Sequence, residues 1–145
     1  VSYPTIRVSG SPEQRGQQYG RLAEERIRRS IALYADVLAK RVDWSWADAT
    51  KHARAYRDEI DQTTDLLPEF AGIAAGAGVD LLDIVALNAR TELIALAGSG
   101  ERSGARKADG CTAFSATTVD AHGRRRLTVG QNWDWLTPTT GTVVV

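Results

Sequence analysis

Cys111 is the only cysteine in the chain, and its neighbours give it a specific chemical setting. It follows Gly110 in Ala108-Asp109-Gly110-Cys111-Thr112-Ala113-Phe114, where a glycine-rich, charged run gives way to an alternating one. Glycine has no Cβ, so its backbone can approach a nucleophile closely. A thiol there can attack the preceding carbonyl, form a thioester and lose the upstream segment by hydrolysis. The product carries a thiol and a free α-amine on one residue. Such an amine has an ordinary pKa of about 7.7–8.0 and can serve as the base for its own thiol. The plain alternative is a small buried hydrophobe, the commonest fate of a free cysteine.

A second dense cluster follows in Gly130-Gln131-Asn132-Trp133-Asp134-Trp135. A hairpin would bring it beside Cys111. The Asp134 carboxylate would then orient the new amine or position the thiol; the competing reading is a strand-end aspartate that solvates itself. Asn132 shares a face with Asp134 in a regular strand and either donates its amide to the site or supports the strand. Trp133 and Trp135 face the other way. One of them, with Phe114, is a candidate wall of a substrate pocket, against a reading as core packing.

Other chemistries lack their residues. His52 falls mid-helix and His122 in a turn, with no cysteine or carboxylate at ligand spacing, so no metal is expected. A Cys–His protease would need one of those histidines folded back on Cys111. Gly76-Ala77-Gly78 follows a helix, the wrong context for a phosphate loop, and no cofactor is expected.

The elements that must position these residues are mostly helical. Residues 3–9 alternate weakly and predict a short edge strand with Pro4 near its start. Ser11, Pro12 and Gln14 form a helix start with a capping box. Apolar residues then recur at three and four, predicting one helix over 12–41. Gly16 and Gly20, four apart, cost about 1 kcal/mol each in helix propensity, so close backbone packing is the expected reason for them. Ser45 caps a helix to Thr64 with Ala49, Ala53, Tyr56 and Ile60 on one face. Leu67-Pro68 begins a short helix that ends at Gly76-Ala77-Gly78. Asp80, with Asp83 three residues on, caps a buried helix to Ala97. Its Asn88, Arg90 and Glu92 read as a structural hydrogen-bonding and ion-pair set rather than as catalysts.

The run 98–110 reads as an exposed connector. Residues 111–119 predict a strand, 120–123 a turn, and 126–135 the return strand, with a last strand from Thr142 to Val145. A hairpin alone is marginal and an apolar terminal strand leaves an open edge. More sheet is therefore expected, in the same gene product or on another chain. The fold class is α+β, with a helical segment over 1–110 and the start of a β-segment over 111–145.

Composition narrows the partners. Hydrophobic residues make up 43% and charged residues 25%, the balance of an ordinary globular chain. Eighteen basic and eighteen acidic side chains cancel, which removes the electrostatic footprint expected for nucleic acid or an anionic membrane. Arg124-Arg125-Arg126 reads as a solvated loop. A single cysteine allows no intrachain disulfide and agrees with a reducing, cytoplasmic setting. No apolar run reaches the length of a membrane span, and no signal peptide is visible. The absence of any methionine predicts a processed or trimmed chain.

Asp109-Gly110-Cys111-Thr112, followed by Gly130-Gln131-Asn132-Trp133-Asp134-Trp135, resembles the acyl-coenzyme A:6-aminopenicillanic acid acyltransferase family (peptidase family C45) of N-terminal-nucleophile hydrolases. Arg15-Gly16-Gln17-Gln18-Tyr19-Gly20 and Leu87-Asn88-Ala89-Arg90-Thr91-Glu92 look like the same family's N-terminal portion. The resemblance implies an αββα sandwich and a precursor that cuts itself between Gly110 and Cys111. It implies Cys111 as nucleophile for amide hydrolysis or acyl transfer, with Asp134 assisting. It further implies small acylated amines or acyl-CoA donors as substrates, and association with the remainder of the β-subunit. A homo-oligomer is compatible with it. An asparagine that serves the family as oxyanion donor lies on later strands, beyond Val145. Two other readings stay open: a thiol-dependent redox protein using Cys111, and a helical binding module in which the cysteine is core.

Overall fold

The computed structural model describes residues 3–98, 111–132 and 136–144. Helices α1 (Pro12–Leu22), α2 (Glu24–Val42), α3 (Trp46–Thr63), α4 (Leu67–Ala77), α5 (Leu81–Asn88) and α6 (Arg90–Gly98) come first. Strands β1 (Ala113–Val119) and β2 (Arg125–Gln131) and a 3-10 helix over Thr137–Gly141 follow. The secondary structure is mixed, helices plus a two-stranded antiparallel sheet, as an α+β chain requires. The described residues fall into two compact units, the helices together with 138–144, and the hairpin.

Three helix starts close in the same local way. The Ser11 hydroxyl accepts from the Gln14 amide at 3.3 Å while the Gln14 side chain accepts from the Ser11 amide at 3.0 Å. Ser45 and Asp48 repeat the exchange at 3.2 and 2.9 Å. Asp80 caps α5, and Asp83 Oδ2 accepts from the Asp80 amide at 3.0 Å. Each box satisfies amides that the helix itself leaves unpaired. Asp83 does more, because its Oδ1 accepts from Trp46 Nε1 at 2.8 Å and so ties α3 to α5.

The helices pack closely because small residues line their contacts. Ala49, Ala53, Val85, Ala86, Ala89, Leu38 and Leu93 form one core cluster; Ala23, Ile27, Ala74, Ala77 and Ile84 form a second, and Phe70 packs against both. The closest approach joins α1 to α4. A Cβ on Gly16 would stand 2.1 Å from the Glu69 carbonyl oxygen, and one on Gly20 2.3 Å from that of Ile73. Reciprocally, a Cβ on Gly72 or Gly76 would stand 2.3 Å from the carbonyl oxygen of Glu13 or Gln17. The expected close packing at Gly16 and Gly20 is thus met by a matching pair on α4. Arg15 closes the crossing at one end, its Nη2 donating to Glu69 Oε2 at 2.7 Å.

Four expectations are corrected. The helix expected over 12–41 bends at Ala23 (φ −107°, ψ 10°), and the one expected over 80–97 bends at Ala89 (φ −88°, ψ 16°). Neither residue is a helix breaker. Both are buried, and the bonds on either side survive: the Ala23 amide donates to Tyr19 at 2.8 Å and the Ile27 amide to Ala23 at 2.9 Å, and the Ala89 amide to Val85 and the Leu93 amide to Ala89, both at 2.9 Å. Packing bends the chain: α1 runs against α4, whereas α2 also packs on α3, α5 and α6. Residues 3–9 form no strand. There the Gln18 side chain donates to the Ser9 carbonyl at 2.7 Å and holds the segment to α1 instead of a sheet. Residues 142–144 are not a strand either, since Thr142 turns back on the Thr139 carbonyl at 2.9 Å.

The hairpin is regular. Ala113 pairs with Gln131 and the pairing runs without a bulge to Val119 opposite Arg125. Asp120 builds the turn, its Oδ1 accepting from the His122 and Arg124 amides at 2.8 and 3.0 Å. Gly123 takes the left-handed conformation (φ 77°) that the turn demands. Phe114 lies across its partner Gly130 so tightly that a Cβ there would stand 2.4 Å from the ring. Among the described residues both faces are open, with Phe114, Val119, Leu127 and Val129 at 61–70% exposure.

Candidate functional site

Of the candidate site residues, Cys111 and Asn132 lie at the open end of the hairpin. Cys111 stands two residues ahead of β1 and is exposed. A core cysteine is therefore not what this chain presents. Its neighbour Thr112 accepts from the Asn132 amide at 2.8 Å, which carries the ladder one rung beyond Gln131. Asn132 is exposed on the returning side. The structure thus brings Cys111 and Asn132 to the same end of one ladder. Gly110, Trp133, Asp134 and Trp135 lie outside the described residues. Phe114 covers Gly130 and borders an open groove with Ala113, Ser115 and Val129.

The histidines stand elsewhere. His122 sits in the turn at the opposite end of the hairpin. His52 belongs to α3, where its ring stacks on Trp44 with centroids 4.3 Å apart and its Nδ1 lies 2.9 Å from the Asp48 carbonyl. Among the described residues no three His, Cys, Asp or Glu side chains gather as a metal site would require. No single described helix is long and apolar enough to cross a membrane.

The helical unit holds a separate cavity of about 240 Å³. Tyr19, Ile27, Phe70, Ile73 and Leu87 make it apolar, and Arg26, Ser30, Asn88 and Thr142 add polar groups. Burial raises the Tyr19 hydroxyl pKa above its ordinary 10.0, and the nearby Arg26 charge pulls it partly back. Arg90, expected to be structural, is so: its Nε donates to Tyr34 Oη at 3.0 Å and its Nη1 to the Leu87 carbonyl at 2.9 Å. Glu92 and Asn88 are exposed.

Two structural features escaped the sequence reading. Arg26 donates through Nη1 to the carbonyls of Gly141 at 2.9 Å and Val143 at 3.0 Å, a link no local pattern announces. The packing role of Gly72 and Gly76 also went unread, with Gly76 read only as a helix end, although their four-residue spacing copies that of Gly16 and Gly20 and was the available signal. No family model matches this chain, and no curated protein matches it.

Proposed function

We propose that the chain is the helical segment and first hairpin of a self-processing cysteine N-terminal-nucleophile enzyme with an αββα sandwich, acting as an acyltransferase or amidohydrolase. The observation that carries the reading is the exposed Cys111 at the head of β1, on the same ladder end as Asn132. Asp134 follows Gln131 by three residues, so covalent reach alone keeps it within about 10 Å of the last paired residue. That distance is short enough for it to serve the same site.

In the processing step the Cys111 thiolate attacks the Gly110 carbonyl carbon. The Gly110–Cys111 amide breaks as the thioester forms, and the nitrogen takes up a proton as the free α-amine. Water then cleaves the thioester, releasing a Gly110 carboxylate and a Cys111 thiol. In turnover the α-amine accepts the thiol proton, and sulfur attacks the carbonyl of an acylated amine or acyl thioester. The leaving amine or thiol takes that proton, and the acyl group remains on sulfur. Water or a second amine completes the cycle. Asp134 orients the α-amine, and Asn132 donates its amide beside the reacting carbonyl. Trp133, Trp135 and Phe114 would wall the acyl group.

Intact mass under denaturing conditions, on full-length protein with and without Cys111→Ala, tests the reading. Two species that meet at Gly110/Cys111 in the parent, and one uncut species in the variant, are expected. Processing and turnover that survive Cys111→Ala would refute it. Turnover that survives a blocked α-amine while the thiol stays free would favour the redox reading instead.

A further inference from the structure

We infer that residues 138–144 form a strap docked on α2, one that holds the two parts of the chain together once the backbone is cut ahead of Cys111. These residues follow the hairpin in sequence, yet they belong to the compact body of the helices. The chain thus leaves the helical unit after α6, builds the hairpin and returns. A cut between α6 and β1 leaves an upstream fragment with α1 to α6 and a downstream fragment with the hairpin and the strap. Contacts between strap and helices then replace the severed peptide bond.

The docking geometry is specific. Arg26 Nη1 donates to the carbonyls of Gly141 and Val143, residues 115 and 117 positions further along. Alternate carbonyls reach one nitrogen because the strap has already turned: the Thr142 amide and hydroxyl both donate to the Thr139 carbonyl, at 2.9 and 2.8 Å. Thr139 is buried, at 5% exposure. Thr142 reaches the rim of the apolar cavity floored by Ile27, Phe70 and Ile73. Gly141 passes close to Arg29, where a Cβ would still find ordinary contact at 3.9 Å. The partner that fits this surface is therefore the chain's own downstream fragment, recognised through two main-chain carbonyls rather than through side-chain identity. Its biological use rests on the self-processing reading; the docking itself does not.

The test separates the two. A site for a sequence-specific protease is inserted after Ser103 in the Cys111→Ala chain, the protein is cut to completion, and fragment association is measured by gel filtration over a dilution series. The cut chain is expected to co-elute at high concentration. Arg26→Ala is expected to weaken association roughly tenfold or more, the scale of losing charge-assisted bonds at a half-buried site. Arg26→Lys should fall between the two, since it keeps the charge without the guanidinium fork. Should Arg26→Ala lose its helices by circular dichroism, replacement of residues 138–144 by a glycine-serine run of equal length removes the strap's contacts and leaves Arg26 in place. Its cut fragments should then associate roughly tenfold or more weakly than the parent pair. Replaced fragments that stay together as tightly as the parent pair would overturn the proposal, and so would parent fragments that never associate. An added protease makes the cut and the thiol is absent, so neither result bears on self-processing.

Discussion

Replacing Gly20 by alanine tests the α1–α4 crossing most directly. A Cβ there would stand 2.3 Å from the Ile73 carbonyl oxygen and 2.9 Å from the Ala77 nitrogen. Ordinary carbon–oxygen contact begins at about 3.3 Å, so the two backbones must part by about 1 Å. No rotamer change relieves the contact, because both opposing atoms are main chain. Overpacking of this kind costs about 1–3 kcal/mol, and a backbone clash belongs at the upper end. Alanine returns about 1 kcal/mol through helix propensity. The net loss is then about 2 kcal/mol, or about 6 °C in the melting temperature of a domain of this size. Gly98→Ala is the internal control. Its Cβ would meet only Val42 at 3.9 Å, so the substitution should fall within about 0.5 kcal/mol of the parent. Thermal unfolding followed by helical circular dichroism gives both numbers. A Gly20→Ala melting point equal to or above that of Gly98→Ala would refute the backbone-to-backbone account.

Arg90→Ala removes the bonds to Tyr34 and to the Leu87 carbonyl and should cost about 1–2 kcal/mol in denaturant unfolding; an unchanged midpoint would show the pair to be idle. Acid should loosen the α3 start and the hairpin turn by one mechanism. The Ser45 hydroxyl and then its amide hold Asp48 below the ordinary 3.8, and the Arg124 amide and guanidinium, then the His122 amide, do the same for Asp120. A carboxyl pKa lowered by folding stabilises the folded state above the unfolded value. That contribution fades as pH falls past 3.8 and is gone below the folded pKa. Carboxyl titrations by NMR should therefore give midpoints below 3.8 for both residues, and Asp120→Asn should flatten the acid response of the turn amides. A midpoint at 3.8 would remove the argument.

The helix starts were legible because a capping box is local. Ser11 with Gln14, Ser45 with Asp48, and Asp80 with Asp83 each satisfy one another within four residues. The hairpin was legible for a similar reason, since Asp120 and Gly123 make the turn from their own neighbourhood. The bends at Ala23 and Ala89 were not legible. Alanine is the best helix former, and only burial against other helices explains a bend there. The edge strand expected over 3–9 failed because alternation says nothing about whether a partner strand exists. The site divides along the same line. Cys111 and Asn132 were found from residue type and came together through hairpin register. Arg26 and the strap were invisible, because main-chain carbonyls as ligands leave no trace in sequence.

Phe114 across Gly130 has a consequence for how accurately the open end is built. The ring needs a position without a side chain and, among the described residues of the two strands, finds it at Gly130. A slip of two residues along the strand would set the ring on Thr128 or on Asn132 and would shift one strand end past the other by about 6.6 Å. Such a shift exceeds any hydrogen bond. The pair therefore works as a ratchet pawl close behind the thiol: it fixes how far Cys111 stands from Asn132.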